Sequence, residues 1–217
     1  MVVSESSVHN YELLDPDVRL MLQVRDDNAA AFEELVLRYQ NRLISIMQHL
    51  VAGREQAEDL AQEVFLRVYR ARKRYSPDAK FATWLFTIAN NVASNANRTY
   101  ARRREVSVTS QKKDDDRSPL EQMAVEASGA MPTRQLDKVE RAEMVRRAVQ
   151  SLNERQKMAL LLSKFEGLSY AEIAQTMDLS IQATKSLLSR ARENLRVLLE
   201  PYMAEGAKPA GGSSDEN

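Results

Sequence analysis

Lys185, Ser186, Ser189 and Arg190 fall within six residues of one another in the stretch ATKSLLSRARENLR. Short hydroxyls and long cations on one side of a helix are the groups that reach base edges and phosphates in a DNA major groove. An ordinary helical hairpin with a polar outer face would show the same residues. A second group stands upstream. Asn90, Asn91, Asn95 and Asn97 crowd into KFATWLFTIANNVASNANRTYARRR, with Arg98 and Arg102–Arg104 behind them. Asparagine is a mediocre helix former, and each one costs on the order of half a kcal/mol relative to alanine. Amides that read base edges, a nearby aromatic and flanking arginines suit single-stranded or melted DNA. A plain polar helix surface explains the hydroxyls but not so many asparagines. The preceding loop, RYSPDAK, is polar around Pro77 and could shape a pocket for an unstacked base.

A third group occupies EQAEDLAQEVFLRVYRARKRY. Ala57, Leu60, Ala61, Val64 and Val68 form one helical stripe. Asp59, Gln62, Glu63, Leu66 and Arg70 stand opposite. A single exposed leucine is normal, but a leucine among acids and an arginine is also what a partner helix docks on. Asp59 and Glu63, at i, i+4, lack a converging histidine or further acid for a metal. The chain has no cysteine, and its two histidines, His9 and His49, stand alone. No nucleophile, general base or metal set therefore assembles. The expectation is a protein without catalytic residues, metal, cofactor or small-molecule substrate.

Formal net charge is zero, yet the charges are segregated. Residues 1–30 carry six acids against two arginines, whereas residues 67–104 carry ten basic groups against Asp78 alone. Such a basic block is either a solvated face or the footprint of a polyanion partner, and its density favours the polyanion. The N-terminus has neither the basic start nor the apolar core of a signal peptide. No apolar run approaches the roughly 20 residues of a membrane span. A cytoplasmic protein without membrane insertion is expected.

These residues need helices to position them. Apolar spacing is helical nearly throughout, and predicts helices at about 16–26, 29–51, 54–74, 80–103, 134–151, 153–165, 169–178 and 181–201. Phe81, Trp84, Leu85, Ile88 and Val92 should face inward on the fourth, with Thr83, Phe86, Thr87, Asn90, Asn91, Ser94, Asn97 and Arg98 outward. Ser169 and Glu172 fit a capping box, and Asp178-Leu179-Ser180 makes a turn. Thr184, Leu188, Ala191, Leu195 and Leu198 form the next inner stripe. Ala171, Ala174 and Ala183 are small enough for a close helix crossing, as a helix-turn-helix requires. Residues 168–200 balance four cations against four acids, so this unit alone should bind DNA weakly. The polar stretch around Asp114–Asp116, with Pro119, Gly129 and Pro132, reads as a linker. The expected architecture is all-α: an N-terminal tail (1–15), a helical bundle (16–104), a flexible linker (105–133), a helix-turn-helix domain (134–201) and a C-terminal tail (202–217).

With both halves read, the chain resembles a sigma-70 family transcription factor of the small, two-domain, extracytoplasmic-function group. The matching segments are AFEELVLRYQNRL, AEDLAQEVFLRVYRA, FATWLFTIANNVA, LNERQKMALLLSKFEGLSYAEIA and ATKSLLSRARENLR, in the family's order. The resemblance implies an RNA polymerase sigma factor that directs core polymerase to specific promoters. Asp59, Gln62, Glu63 and Leu66 would dock on the coiled coil of the polymerase β′ subunit. The 75–104 segment would hold the −10 element as single-stranded DNA through Trp84, Asn91, Asn95, Arg98, Arg102 and Arg103. Region four would grip the −35 element through Lys157, Tyr170, Lys185, Ser186, Ser189 and Arg190, its recognition helix being 181–197. The implied partners are core RNA polymerase (β′ coiled coil and β flap), promoter DNA and an anti-sigma factor. Leu187 and Gln182 stand where the family frequently has arginine and glycine, which bears on the −35 sequence read.

Overall fold

The computed structural model describes residue 11 and residues 14–51, 53–108 and 143–205, with residues 101, 103–108 and 201–205 described by backbone alone. The described residues form α1 (Pro16–Arg25), α2 (Ala29–Leu50), α3 (Arg54–Ala71), a 3-10 turn (Arg72–Arg74), α4 (Phe81–Val108), a helix over 143–150 (α5), α6 (Glu154–Lys164), α7 (Tyr170–Met177) and α8 (Ile181–Glu205). No strand occurs among them. The expected linker, apart from its first residues in α4, lies outside the described residues. So do residues 134–142 of the expected fifth helix.

Local chemistry sets most helix starts. Asp15 caps α1, Pro16 opens it, and Asp17 puts an acid against the positive end of the helix dipole. Asn28 caps α2 by accepting from Ala31 N–H at 3.2 Å. Gly53 sits at φ 101°, where a side chain would be strained, and lets α2 turn into α3. Asn153 with Gln156, and Ser169 with Glu172, form reciprocal capping boxes on α6 and α7. Asp178 ends α7 in the left-handed region at φ 53°, which aspartate tolerates. Ser180 Oγ then accepts from Ala183 N–H at 3.1 Å and starts α8.

In the N-terminal half, α2 packs against α3 and α1, and α4 closes the bundle against α3. Leu35, Leu43, Ile46 and Met47 of α2 meet Val64 of α3 and Phe81, Leu85 and Phe86 of α4 in one apolar cluster. Burying each such aromatic is worth about 1.5–3 kcal/mol. In the C-terminal half α8 lies across α6 and α7. The two halves do not keep separate cores. Met158, Leu161, Leu162, Ile173 and Leu188 belong to the same buried cluster as the N-terminal bundle. A smaller cluster of Val149, Leu152, Leu160 and Ala191 holds α5 to the C-terminal half.

That packing corrects two expected outward residues. Thr83 is 1% exposed and Phe86 is fully buried, because α4 meets α7, α1 and α2 as well as α3, with the Phe86 ring 6.5 Å from that of Tyr39 on α2. Of the three alanines expected at the helix crossing, only Ala174 is buried; Ala171 and Ala183 face solvent.

Candidate polymerase and nucleic-acid interfaces

The first surface lies on α3. Ala57, Ala61, Val64, Phe65 and Val68 turn inward, which leaves Asp59, Gln62 and Leu66 exposed and Glu63 half-buried. Leu66 is 50% exposed, a large apolar side chain with water on one side. Glu63 accepts from Arg67 Nε at 2.7 Å. One turn beyond Leu66 stands Tyr69, 42% exposed, and the sequence reading overlooked it. Its ring lies 5.2 Å from that of Phe32 on α2 and carries the Arg72 guanidinium 4.0 Å above its centroid. The pattern alone signalled Tyr69 weakly, because its neighbour Phe32 comes from another helix.

The second surface is α4 and the loop before it. Asn91, Asn95, Arg98 and Arg102 are all exposed. Their i, i+4, i+7, i+11 spacing draws one line of amides and guanidiniums along the helix. Arg103 continues the helix, but its side chain is outside those described. Trp84 is half-buried; its ring meets Tyr75 edge-on at 4.9 Å and tilts against Phe81 at 6.0 Å. Tyr75 is buried, and burial raises its phenol well above the usual range. The loop closes on itself: Ser76 Oγ donates to Asp78 Oδ1 at 2.9 Å, and Asp78 N–H to Ser76 C=O at 2.9 Å. Beside the exposed line, Asn90, Ser94 and Asn97, together with Arg98 of the line itself, face Glu154 and Arg155 of α6 across a cleft of about 330 Å³.

The third surface is α8. Thr184, Leu188 and Ala191 are fully buried, so Lys185, Ser189 and Arg190 point outward and Ser186 is half-buried at the edge. Thr184 is satisfied by donating to Ser180 C=O at 3.1 Å. Leu187 is half-buried against the main core, not on the outward face, whereas Gln182 is exposed. Tyr170, at the start of α7, is exposed and accepts from both terminal nitrogens of Arg192 at 3.4 Å; that guanidinium lowers the phenol's pKa. Lys157 is half-buried, and burial lowers its pKa; its charge acts on His49 at the end of α2.

The halves meet along α4–α7 and α2–α6. Lys80 Nζ pairs with Glu172 Oε1 at 2.9 Å, and Arg42 pairs with Glu166, whose side chain is only 2% exposed. The His49 and Phe165 rings lie 6.0 Å apart. Burial alone would raise the Glu172 carboxyl. Lys80 and the Ser169 backbone and hydroxyl bring it below its ordinary value. Among the described residues, no three His, Asp or Glu side chains converge to hold a metal, and no helix is long and apolar enough to cross a membrane.

Residues 35–104 match the family model for Sigma-70 region 2, and residues 142–195 match that for Sigma-70, region 4. The RNA polymerase sigma-H factor of Pseudomonas aeruginosa is 33% identical over 196 residues, covering 88% of this chain and 97% of that one. The ECF RNA polymerase sigma-E factor of Escherichia coli K12 is 33% identical over 192 residues, 86% of this chain and 96% of its own. The chain belongs to the sigma-70 family, in its extracytoplasmic-function group. It is an RNA polymerase sigma factor of transcription initiation. The fold of this sigma factor is shared with CnrH in its complex with the cytosolic domain of CnrY, at TM-score 0.61 and 22% identity over 86% of this chain and 99% of that one. It is also shared with the sigma factor RpoE, solved with the anti-sigma factor NepR from Bartonella quintana, at TM-score 0.59 and 23% identity over 78% and 96% of the two chains. Region 2 takes in most of α2, all of α3 and α4 as far as Arg104. Region 4 takes in the helix-turn-helix.

Proposed function

We propose that three surfaces of this sigma factor divide the work of promoter recognition. Asp59, Gln62, Glu63 and Leu66 on α3 dock on the β′ coiled coil of core RNA polymerase. The α4 line and the loop Tyr75–Lys80 hold the −10 element as a single strand, with Asn91 and Asn95 on bases and Arg98, Arg102 and Arg103 on phosphates. Lys185, Ser186, Ser189 and Arg190 of α8 enter the major groove of the −35 element, with Tyr170 beside them. Lys157, half-buried beside α2, reaches DNA only once the halves part. The C-terminal half also contacts the β flap.

The observation that carries this reading is the unbroken line Asn91–Asn95–Arg98–Arg102 on exposed α4. Two amides followed by two guanidiniums along one helix face suit a flexible strand with bases and phosphates both in reach. The protein supplies no chemistry of its own; polymerase does. It works in the cytoplasm with polymerase and takes no small-molecule substrate. An anti-sigma factor holds it inactive, a partner that the complex of RpoE with the anti-sigma factor NepR supports.

The test is run-off transcription by purified core polymerase on a pool of randomised promoters, with and without the protein. A shared pair of motifs that appears only with the protein present supports the reading. Transcripts independent of it, together with tight binding of the protein alone to duplex DNA, would replace it with a free-standing repressor.

A further inference from the structure

Asp15 falls at the end of a stretch expected to be a tail, yet it is tied into two helices. Its Oδ1 caps α1, accepting from Asp17 N–H at 2.9 Å and Val18 N–H at 3.4 Å. Its Oδ2 accepts from Phe81 N–H at 3.1 Å, in the first turn of α4. Helix α4 needs that acceptor from elsewhere. The residue at its own cap position is Lys80, whose C=O accepts from Trp84 N–H at 3.3 Å. An ammonium side chain cannot accept a hydrogen bond, so Lys80 leaves the first N–H groups of α4 without a local cap. A carboxylate at that place also complements the helix dipole.

Phe81 is the residue that ends the loop Tyr75–Lys80. Its ring is fully buried, 5.3 Å from Tyr39 and 6.0 Å from Trp84. Tyr75, at the other end of the loop, packs edge-on against the same Trp84. The loop is therefore pinned at its start by an aromatic pair and at its end by one carboxylate from α1. Neither anchor touches the exposed line of α4.

We infer that Asp15 is a positioning residue for −10 recognition: one carboxylate that caps α1 and α4 together fixes the end of the loop Tyr75–Lys80 beside the strand-holding face of α4. The inference rests on the assignment of that loop and α4 to the −10 element. Loss of the carboxylate frees the first turn of α4 and the loop leading into it. It leaves α3 and α8 as they are.

The test uses full-length protein with core RNA polymerase on the randomised promoter pool, and reads base preference at each position of the selected promoters. Asp15→Ala should reduce the −10 preferences about tenfold and leave the −35 preferences at the native level. Asp15→Asn keeps one acceptor oxygen for two helix starts and should show an intermediate loss. Val18→Ala opens a cavity in the same α1 contact and serves as the control: it should lower the melting temperature without changing either motif. A merely structural Asp15 would lower transcript yield with both motifs intact, as Val18→Ala does, or weaken both alike; either result overturns the inference. Asn91→Ala separates the two levels. If it leaves the −10 preferences intact, the assignment of α4 itself fails, whatever Asp15 does.

Discussion

The two helices proposed to face DNA are built on opposite terms. The α4 segment sits in a block of ten cations and one acid, its amides cost helix stability, and part of its surface is covered by the other half of the chain. Helix α8 lies in a segment with balanced charge, and Lys185, Ser189 and Arg190 stand clear of the junction. The difference follows from the two forms of DNA proposed for them. A melted strand offers mobile phosphates and unstacked bases, which charge and amides capture without fixed geometry. A duplex groove has fixed donor and acceptor positions, so a few well-placed side chains suffice and charge adds little discrimination. In this reading α4 supplies affinity and α8 supplies register.

Removing the cations of α4 is the strongest way to break that contrast. Arg98→Ala with Arg102→Ala should lower transcription from an unmelted promoter about 100-fold and flatten its salt dependence, since each lost phosphate contact removes close to one unit of the log–log slope. The same template carrying a pre-opened −10 bubble should lose less. On α8, Arg190→Ala should cost about tenfold, within the roughly 1–3 kcal/mol of a good base contact, and should act only at one −35 position. Measuring transcription against single-base −35 substitutions checks it. If Arg190→Ala instead weakens every promoter equally, the side chain contacts phosphate, and the contrast between the helices narrows.

The features that define α8 were legible in the sequence because they are local. Ser169 and Glu172 lie three residues apart, Asp178 needs only its own backbone, and Thr184, Leu188 and Ala191 follow the helix period, although Leu198, expected on the same stripe, is exposed. On the exposed line of α4, Asn91 and Arg98 were legible for the same reason, whereas Asn95 and Arg102 entered through the family resemblance and Asn97, expected outward, is half-buried. What the pattern missed depends on contacts distant in sequence. Thr83 and Phe86 are polar-face residues by period, and only contacts from helices distant in sequence bury them, Phe86 packing on Tyr39 of α2. Lys157 passes for an exposed cation until α2 packs beside it. Asp15 reads as a tail residue because its second partner, Phe81, is 66 positions away. Periodicity records which face of a helix is apolar, not how many neighbours it will have.

The junction sharpens the contrast further. Elements centred at −10 and −35 are about 25 base pairs apart, on the order of 85 Å along B-DNA. α7 packed on α4 cannot serve both, so the proposed assignment requires the halves to part when the promoter is bound. The contact suits a reversible role. α4 and α7 each carry a buried hydroxyl, Thr83 and Thr176, without a partner among the described residues, an arrangement that costs about 1–3 kcal/mol per group. Lys80→Met removes the ammonium that faces Glu172 while leaving the Ser169–Glu172 cap in place. It should shift the population toward separated halves about threefold, within the small worth of a partly exposed pair. The chain has no native cysteine, so Arg54→Cys with Glu193→Cys takes a fluorescent pair whose transfer efficiency reads the separation. Unchanged transfer would mean that apolar contact alone closes the halves.

The smallest effect expected is a pH dependence at the same junction. His49 touches Phe165 from across it, and burial, then the charges of Arg146 and Lys157, push its imidazole below the ordinary 6.5. A base with a lowered folded-state pKa is held neutral by the fold, so its environment contributes fully above 6.5 and loses that contribution as pH falls toward the lowered value. The junction should therefore loosen modestly between pH 7.5 and 5.5. The Glu172 carboxyl, also lowered, keeps its contribution through this window, because its ordinary value is 4.5 and its loss begins only below that. His49→Phe keeps a ring beside Phe165 and removes the titration. Its energy transfer should stay level over the same range in which the native chain opens. If both chains open together, the proton acts elsewhere, and the junction is held by Lys80, Arg42 and apolar packing without help from His49.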